Sequence, residues 1–446
     1  VVEFDSFYLN ESTNKEVMSI CVFTHQMTSS DEDRILDQVR VKKIESSYNP
    51  RGGFQVKETY LNAFIQHSEK QCYYLPFAWA LQHIKGITRR DRKEFSAIDI
   101  PFTSTLRAVQ LEIKDECLDR LNKKNCLLIS LYPGAGKTCL AIYLSSRVIK
   151  LKTLIICHRL VLIEQWIKAI SRFTGDAASV AFVKPGKKYN EDADIFIVNA
   201  QNMKKLGKDV FAKVGFVVVD EIHAILAESL SECLYYVSPR YLLGLSATPT
   251  RPDGMDGLLD FYFGEGNKIV RELYHKHTVY KVDTGISFEE ESHEWSALIT
   301  SQCMSVERNQ LIVKITQSFK DRHFLILCKR VEQASYIANK LIDLGENVSL
   351  MVKDENEYDE TSRIIVASVQ KCGVGFSHDI LDALILASDV EEYFIQYLAR
   401  VMRTEEVEPI VFDLVDDHKG LKKHFTERKK VYTKAGGTIK IYKHVS

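Results

Sequence analysis

Five apolar runs, at 126–130, 153–157, 194–199, 216–220 and 242–248, carry no internal charge and alternate with segments of helical length. A strand with one wet face alternates apolar and polar residues; a run without that alternation suits a parallel strand covered on both faces. The stretch 137–149 shows the companion element, because Leu140, Leu144, Val148 and Ile149 fall near one face of a helix. A second set of runs at 324–328, 363–368, 383–388 and 410–415 repeats the pattern. The chain is therefore predicted to be an α/β protein with two tandem parallel-sheet lobes, at 101–275 and 285–446. The join falls within 265–300, where the spacing loosens and Glu289-Glu290-Glu291 reads as a solvated face. Residues 1–100 differ in texture. Short runs at 17–23 and 73–79 and the turn signal Asn49-Pro50-Arg51-Gly52-Gly53 predict a small α+β accessory domain there.

A length of 446 residues exceeds one ordinary core, and 45% hydrophobic residues with only 9 Pro and 21 Gly indicate folded protein almost throughout. Lys and Arg total 59 against 60 Asp and Glu, so no bulk field advertises a polyanion partner and any nucleic-acid contact must come from local patches. The segment 415–446 is one such basic stretch. The ten Cys are scattered without zinc-ligand spacing, Cys126 falls inside an apolar run, and reduced structural thiols are expected. No apolar stretch approaches membrane-crossing length and no charged leader precedes one, so a soluble intracellular protein with no membrane partner is expected. The chain opens Val1-Val2 without Met, which suggests that a natural amino-terminal stretch was cut away or lies outside this numbering.

The chemistry is anchored by Leu131-Tyr132-Pro133-Gly134-Ala135-Gly136-Lys137-Thr138, directly after a strand and before a helix. Glycines let several backbone N–H groups turn sharply toward a phosphate, and the helix amino terminus adds its dipole. Gly134, Ala135 and Gly136 would cradle ATP, Lys137 would reach its β and γ phosphates, and the Thr138 hydroxyl would hold Mg²⁺. The usual pattern has Gly where this chain has Leu131. The other half of such a site is a carboxylate at the end of a neighbouring strand. Phe216-Val217-Val218-Val219-Asp220-Glu221 supplies two, with Asp220 suited to the Mg²⁺ shell and Glu221 to polarising the attacking water.

Asp220-Glu221-Ile222-His223 resembles the Asp-Glu-x-His box of superfamily 2 helicases, and Ser246-Ala247-Thr248-Pro249 resembles their third motif. Gln396-x-x-Ala399-Arg400-x-x-Arg403 is similar to their sixth, with Ala399 in place of Gly. Arg251-Pro252-Asp253-Gly254 and the stretch 186–195 resemble the branch holding the repair helicase XPB, the phage helicase UvsW and the transcript-release helicases of large cytoplasmic DNA viruses. The resemblance, over roughly 106–415, implies RecA-like lobes. It also implies adenine recognition by Gln110 within Leu106-Arg107-x-x-Gln110, and coupling through His223, Ser246, Thr248 and Gln396. Arg403 would be an arginine finger, with Arg400 holding the phosphates or Glu221. A guanidinium from a second lobe stabilises charge gained by the γ-phosphoryl group only when the lobes close.

Nucleic-acid contacts follow the same resemblance. Arg159 lies in the first segment of this kind, where Trp166 is expected to be buried against the sheet; Asn199 and Gln201 lie in the next. Lys184, Lys187 and Lys188 form a basic loop, and in the second lobe Lys329, Arg330 and Ser368 with Gly373-Val374-Gly375 occupy corresponding positions. Contacts of these types fall mainly on backbone phosphates. The expected activity is an ATP-dependent helicase on DNA or an RNA/DNA hybrid, with RNA the second choice, in viral transcription or repair. Partners would be transcription or repair proteins, and the location host cytoplasm or virion. Two alternatives stay open: a duplex DNA translocase without strand separation, and an ATP-dependent protein-interaction or remodelling switch.

Overall fold

The computed structural model describes residues 21–49, 53–68, 71–84, 86, 89–207, 209–225, 231–247, 256–288, 294–352, 358–359, 361–372, 378, 380–390, 394–403 and 407–443. Pro50-Arg51-Gly52, Thr248-Pro249, the segment 251–254, the acidic run 289–291 and Gly373-Val374-Gly375 lie outside them. The chain forms two compact units, one of Val1–Ser130 with Lys137–Val270 and one of Leu131–Gly136 with Arg271–Ser446.

The first unit begins with an antiparallel region. Strands β1 (Cys21–Phe23), β4 (Ile65–His67) and β5 (Cys72–Tyr74) form one sheet in the order β1-β5-β4, and β2 (Arg40–Asn49) pairs with β3 (Gly53–Asn62) in a hairpin. Helix α1 (Ser29–Gln38) starts at a capping box, in which the Asp31 N–H donates to Thr28 Oγ1 at 3.2 Å and the Thr28 N–H donates to Asp31 Oδ2 at 2.9 Å. The apolar face of this region does not close on itself. Val22, Ile35, Leu75 and Trp79, the last on α2 (Phe77–His83), share one buried cluster with Leu258, Tyr262 and Phe263 of the later helix Asp256–Phe263.

The charge-free runs then become a seven-stranded sheet of β6 (Cys126–Leu131), β7 (Thr153–Cys157), β8 (Val180–Val183), β9 (Ile195–Asn199), β10 (Phe216–Val219), β11 (Tyr241–Ser246) and β12 (Lys268–Arg271). The order is β12-β6-β11-β10-β7-β9-β8, with parallel pairing from β6 through β8. Leu127, Leu154, Ile197, Val217 and Leu243 are fully buried, each worth about 1.5–3 kcal/mol over exposure. The acidic strand β10 is not the neighbour of β6, as the sequence suggested; β11 lies between them. Charge-free strands have interchangeable patterns, so their lateral order is set by the connecting helices and cannot be read from the runs alone.

Helix α3 (Ala108–Lys124) precedes β6, and α4 (Lys137–Tyr143) follows the glycine-rich loop. The helix predicted over 137–149 changes character after Tyr143, with Leu144–Ile149 forming a π-helix capped by Lys150 at φ 53°. Leu140, Leu144 and Ile149 are buried as expected, while the wider turn leaves Val148 partly exposed.

The second unit holds a parallel sheet of β13 (His277–Asp283), β14 (Phe324–Cys328), β15 (Val348–Met351), β16 (Ile364–Ser368), β17 (Ala383–Leu386), β18 (Ile410–Val415) and β19 (Gly437–Ile441), ordered β15-β16-β14-β17-β18-β13-β19. In the basic carboxyl-terminal stretch, Arg428 turns inward. It is 5% exposed and binds Asp413 at 2.8 Å and Asp389 at 2.6 Å, so this arginine is structural rather than offered to a phosphate. Together the two sheets and the amino-terminal region make a tandem RecA-like fold with a small antiparallel accessory part. All ten cysteines are free thiols, nine of them buried. Among the described residues no helix is long and apolar enough to cross a membrane.

Candidate active site

Parallel strands bring their carboxyl ends to one edge, where ligands of open α/β sheets bind. On the first unit that edge carries, side by side, Ser130 of β6, Ser246 at the end of β11, Asp220 and Glu221 after β10, His158 and Arg159 after β7, and Asn199 at the end of β9. Register fixes the alignment: Ser246 pairs with Ser130, Val219 with both Gly244 and Ile156, and Cys157 with Asn199.

Leu131, the departure from the usual loop pattern, is the buried last residue of β6, so the turn starts after it. The demand for unusual backbone falls on Gly134 and Gly136, both at φ +85°. A side chain at Gly134 would strain the backbone, and its Cβ would stand 3.2 Å from Arg403 Nε, both residues belonging to the second unit. Ala135 is buried, and α4 begins at Lys137 with Thr138 in its first turn.

Asp220 is the most constrained carboxylate of the site. Its Oδ2 accepts the indole N–H of Trp166 at 2.8 Å, and its Oδ1 accepts the Glu221 backbone N–H at 3.0 Å. Burial, reinforced by the charge of Glu221, pushes its pKa up to about 6, against the opposing pull of the Trp166 bond and Lys137. Glu221 takes a left-handed backbone, φ 48°, between a strand and the short helix Ile222–Ile225. Such a conformation in a non-glycine residue costs about 1–3 kcal/mol and is held only by its surroundings. It turns the side chain so that Oε2 is buried, accepts no hydrogen bond among the described residues, and lies 3.4 Å from His223 Nδ1. The same His223 nitrogen shares a hydrogen bond of 3.0 Å with Ser246 Oγ. The intervening strand β11 thus places its last residue against the histidine of the acidic box. His158 is half-buried beside this group, and burial lowers its pKa to about 4.

Gln110 is 1% exposed, and its Oε1 accepts the Arg107 backbone N–H at 2.7 Å, closing the first turn of α3. Arg159, at the amino-terminal cap of α5 (Leu160–Thr174), is exposed, as are Lys184, Lys187, Lys188 and Gln201. Lys184 Nζ lies over the Phe182 ring at 4.2 Å. Asn199 is buried, its Oδ1 capping the Gln201 N–H at 3.0 Å. In the second unit Lys329, Arg330 and Ser368 sit at the carboxyl edge of β14 and β16, where Cys328 pairs with Ser368. Arg330 is anchored to Thr300 Oγ1 at 3.1 Å, and Gln396 lies in the short helix Phe394–Leu398 that leads to Arg400 and Arg403. Thr248 lies outside the described residues.

Putative helicase 161L of Invertebrate iridescent virus 6 is 36% identical over 415 residues, 86% of this chain and 92% of that protein. The chain belongs to the superfamily 2 DExH helicases. Putative helicase 055L of Frog virus 3 is 30% identical to this helicase over 381 residues, 82% of this chain and 86% of the relative. A family model described as type III restriction enzyme, res subunit, matches residues 103–251, the span of the glycine-rich loop and the acidic box. The structure of S. cerevisiae Dbp5 bound to RNA and ADP BeF3 shares the fold, with a TM-score of 0.52 at 12% identity over 74% of the helicase and 89% of that chain. The helicase is accordingly an ATP-binding, ATP-hydrolysing enzyme that acts on nucleic acid.

Sequence reasoning placed Trp166 in the interior, where it is 2% exposed, but missed its bond to Asp220. A signal existed: a buried indole N–H needs an acceptor, and α5 packs on the sheet that ends in an acidic pair.

Proposed function

We propose that the helicase hydrolyses ATP to translocate on and separate DNA or an RNA/DNA hybrid, in transcription or repair. The observation that carries this reading is the shared sheet edge, where the pair Asp220 and Glu221, the His223 and Ser246 bond, and Arg159 follow adjacent strand ends, with Lys137 opening the helix after β6.

Gly134 to Gly136 cradle the phosphates and Lys137 neutralises them, while Glu221, held by its left-handed turn beside His223, orients the attacking water. Mg²⁺ fits the residues present. It keeps most of its waters and takes one or two protein oxygens besides substrate phosphates, and Thr138 with Asp220 offers such a set. The raised pKa of Asp220 reports a buried negative pair that a cation would relieve. Bound there, the ion would neutralise charge on the phosphates. Arg403, with Arg400 beside it in sequence, acts as an arginine finger on the γ-phosphoryl group, and Gln396 helps to hold that segment. Gln110 and Arg107 border the adenine. His223 and Ser246, with Thr248, relay the state of the acidic pair to the nucleic-acid side. There Arg159, Lys184, Lys187, Asn199, Gln201, Lys329, Arg330 and Ser368 hold backbone phosphates. Backbone contacts give little base specificity.

ATP turnover measured without nucleic acid and with single-stranded DNA, duplex DNA, RNA and hybrid tests the substrate. Stimulation by DNA or hybrid is expected, and stimulation by RNA alone would overturn the choice. Fork unwinding measured beside triplex displacement tests strand separation. Displaced third strands with intact forks would identify a translocase that does not separate strands.

A further inference from the structure

Trp166 is the largest fully buried side chain among the described residues, and its one polar atom is aimed at the acidic box. A buried indole N–H requires some acceptor, and a backbone carbonyl would satisfy it. Here the acceptor is a buried carboxylate, whose charge is costly to keep from water unless paired and hydrogen-bonded. The two oxygens of Asp220 receive one fixed donor each, the indole at 2.8 Å and the Glu221 N–H at 3.0 Å. Two donors from separate elements remove the rotation about Cβ–Cγ that one would leave. The backbone is fixed as well, because the Asp220 N–H donates to Ile156 O at 3.0 Å and continues the β10 to β7 ladder. The plane of the carboxylate, and with it the direction of the lone pair left on each oxygen, is therefore fixed.

We propose that Trp166 is a positioning residue that orients Asp220 toward the Mg²⁺ of bound nucleotide. This rests on the reading of Asp220 as the Mg²⁺-shell carboxylate. A partner that orients a metal-facing ligand typically contributes about 10- to 100-fold in metal affinity or activity. A ring that served only to fill the core would affect stability and leave metal dependence unchanged. The position on α5 adds a consequence. Arg159 caps that helix about two turns before Trp166, so the element that sets Asp220 also carries an exposed arginine at its start.

Trp166→Phe keeps the buried ring and removes the donor. Binding of a non-hydrolysed ATP analogue is titrated with Mg²⁺ in wild type and variant, with thermal unfolding followed in parallel. The variant should need about 10- to 100-fold more Mg²⁺ for half-saturation while Mg²⁺-free nucleotide binding stays at the wild-type level. A folded variant with wild-type Mg²⁺ half-saturation overturns the proposal. The wild type supplies a second measurement that does not depend on the variant folding. The chain has three Trp, so its indole N–H groups give three resonances in a proton–nitrogen correlation spectrum. One of them should move when Mg²⁺ is added to the nucleotide-bound protein, and no movement in any of the three also overturns the proposal. A wild-type protein that binds no nucleotide at all would instead sink the ATP-site reading underneath it.

Discussion

His223 Nδ1 lies 3.0 Å from the Ser246 hydroxyl, so the acidic box and the last residue of β11 are joined by one hydrogen bond. The strand between the phosphate loop and the acids therefore senses the histidine directly. Ser246→Ala should leave basal ATP hydrolysis close to wild type and cut its stimulation by nucleic acid about 5-fold or more, the lower end of usual coupling free energies. Steady-state turnover with and without nucleic acid measures this. Equal loss of basal and stimulated rates would show that the bond serves hydrolysis itself and not coupling.

Lys137 and Arg403 should fail differently. Lys137→Ala removes the phosphate contact at the start of α4 and should abolish turnover without unfolding the protein. Arg403→Ala should retain most nucleotide affinity yet lose about 10³-fold or more in stimulated kcat, the scale on which a supplied arginine acts in phosphoryl transfer. Arg403→Lys keeps the charge without the planar fork and should rescue only in part. Nucleotide binding and stimulated kcat are to be measured on the same preparations. Near-wild-type kcat in Arg403→Ala would remove the residue from the chemistry.

Arg159, Lys184 and Lys187 are exposed, which a phosphate contact requires. Replacing them by Ala should weaken binding to unrelated sequences alike. It should also lower the salt slope by about 0.7 per lost single-strand contact or 0.9 per duplex contact. Fluorescence-anisotropy titrations at several salt concentrations report both quantities. Unchanged slope and affinity would exclude this face.

Burial and the charge of Glu221 raise the Asp220 pKa from 3.8 to about 6. The folded protein therefore holds this proton more tightly than the unfolded chain does. The resulting contribution to stability is complete below the unfolded value of 3.8 and is lost as pH rises through about 6. Function runs the other way, because only the carboxylate can face a cation. kcat/KM for ATP should fall as pH drops below about 6, and a profile flat from pH 5 to 8 would show that Asp220 ionisation does not limit the free enzyme.

The strands that were legible were those whose residues are apolar on both faces, with the buried Asp413 inside 410–415 as an exception. The run 126–130 became Cys126–Leu131, and 410–415 became Ile410–Val415 without change. β8 is apolar throughout but only four residues long and alternately buried, and β13 carries Lys281 and ends at Asp283; both were missed. In the site, Lys137, Asp220 and Glu221 were singled out because phosphate and metal chemistry demands those residue types at those spacings, and His223 through the resemblance to the Asp-Glu-x-His box. The Trp166 bond and the left-handed turn at Glu221 were not, since both arise from packing between elements far apart in sequence.

Vectorial synthesis gives the shared core of the amino-terminal region another meaning. Val22, Ile35 and Trp79 leave the ribosome long before Leu258, Tyr262 and Phe263, their partners in the folded cluster, have been translated. At roughly 5–20 residues per second, the interval between Trp79 and Phe263 lasts about 10–35 s. During that time the part of the cluster supplied by Leu258, Tyr262 and Phe263 is missing, and contacts of such long sequence separation form slowly. This region, made well before Leu258, Tyr262 and Phe263, is thus completed late, which makes nascent chains stalled before Leu258 candidates for chaperone binding.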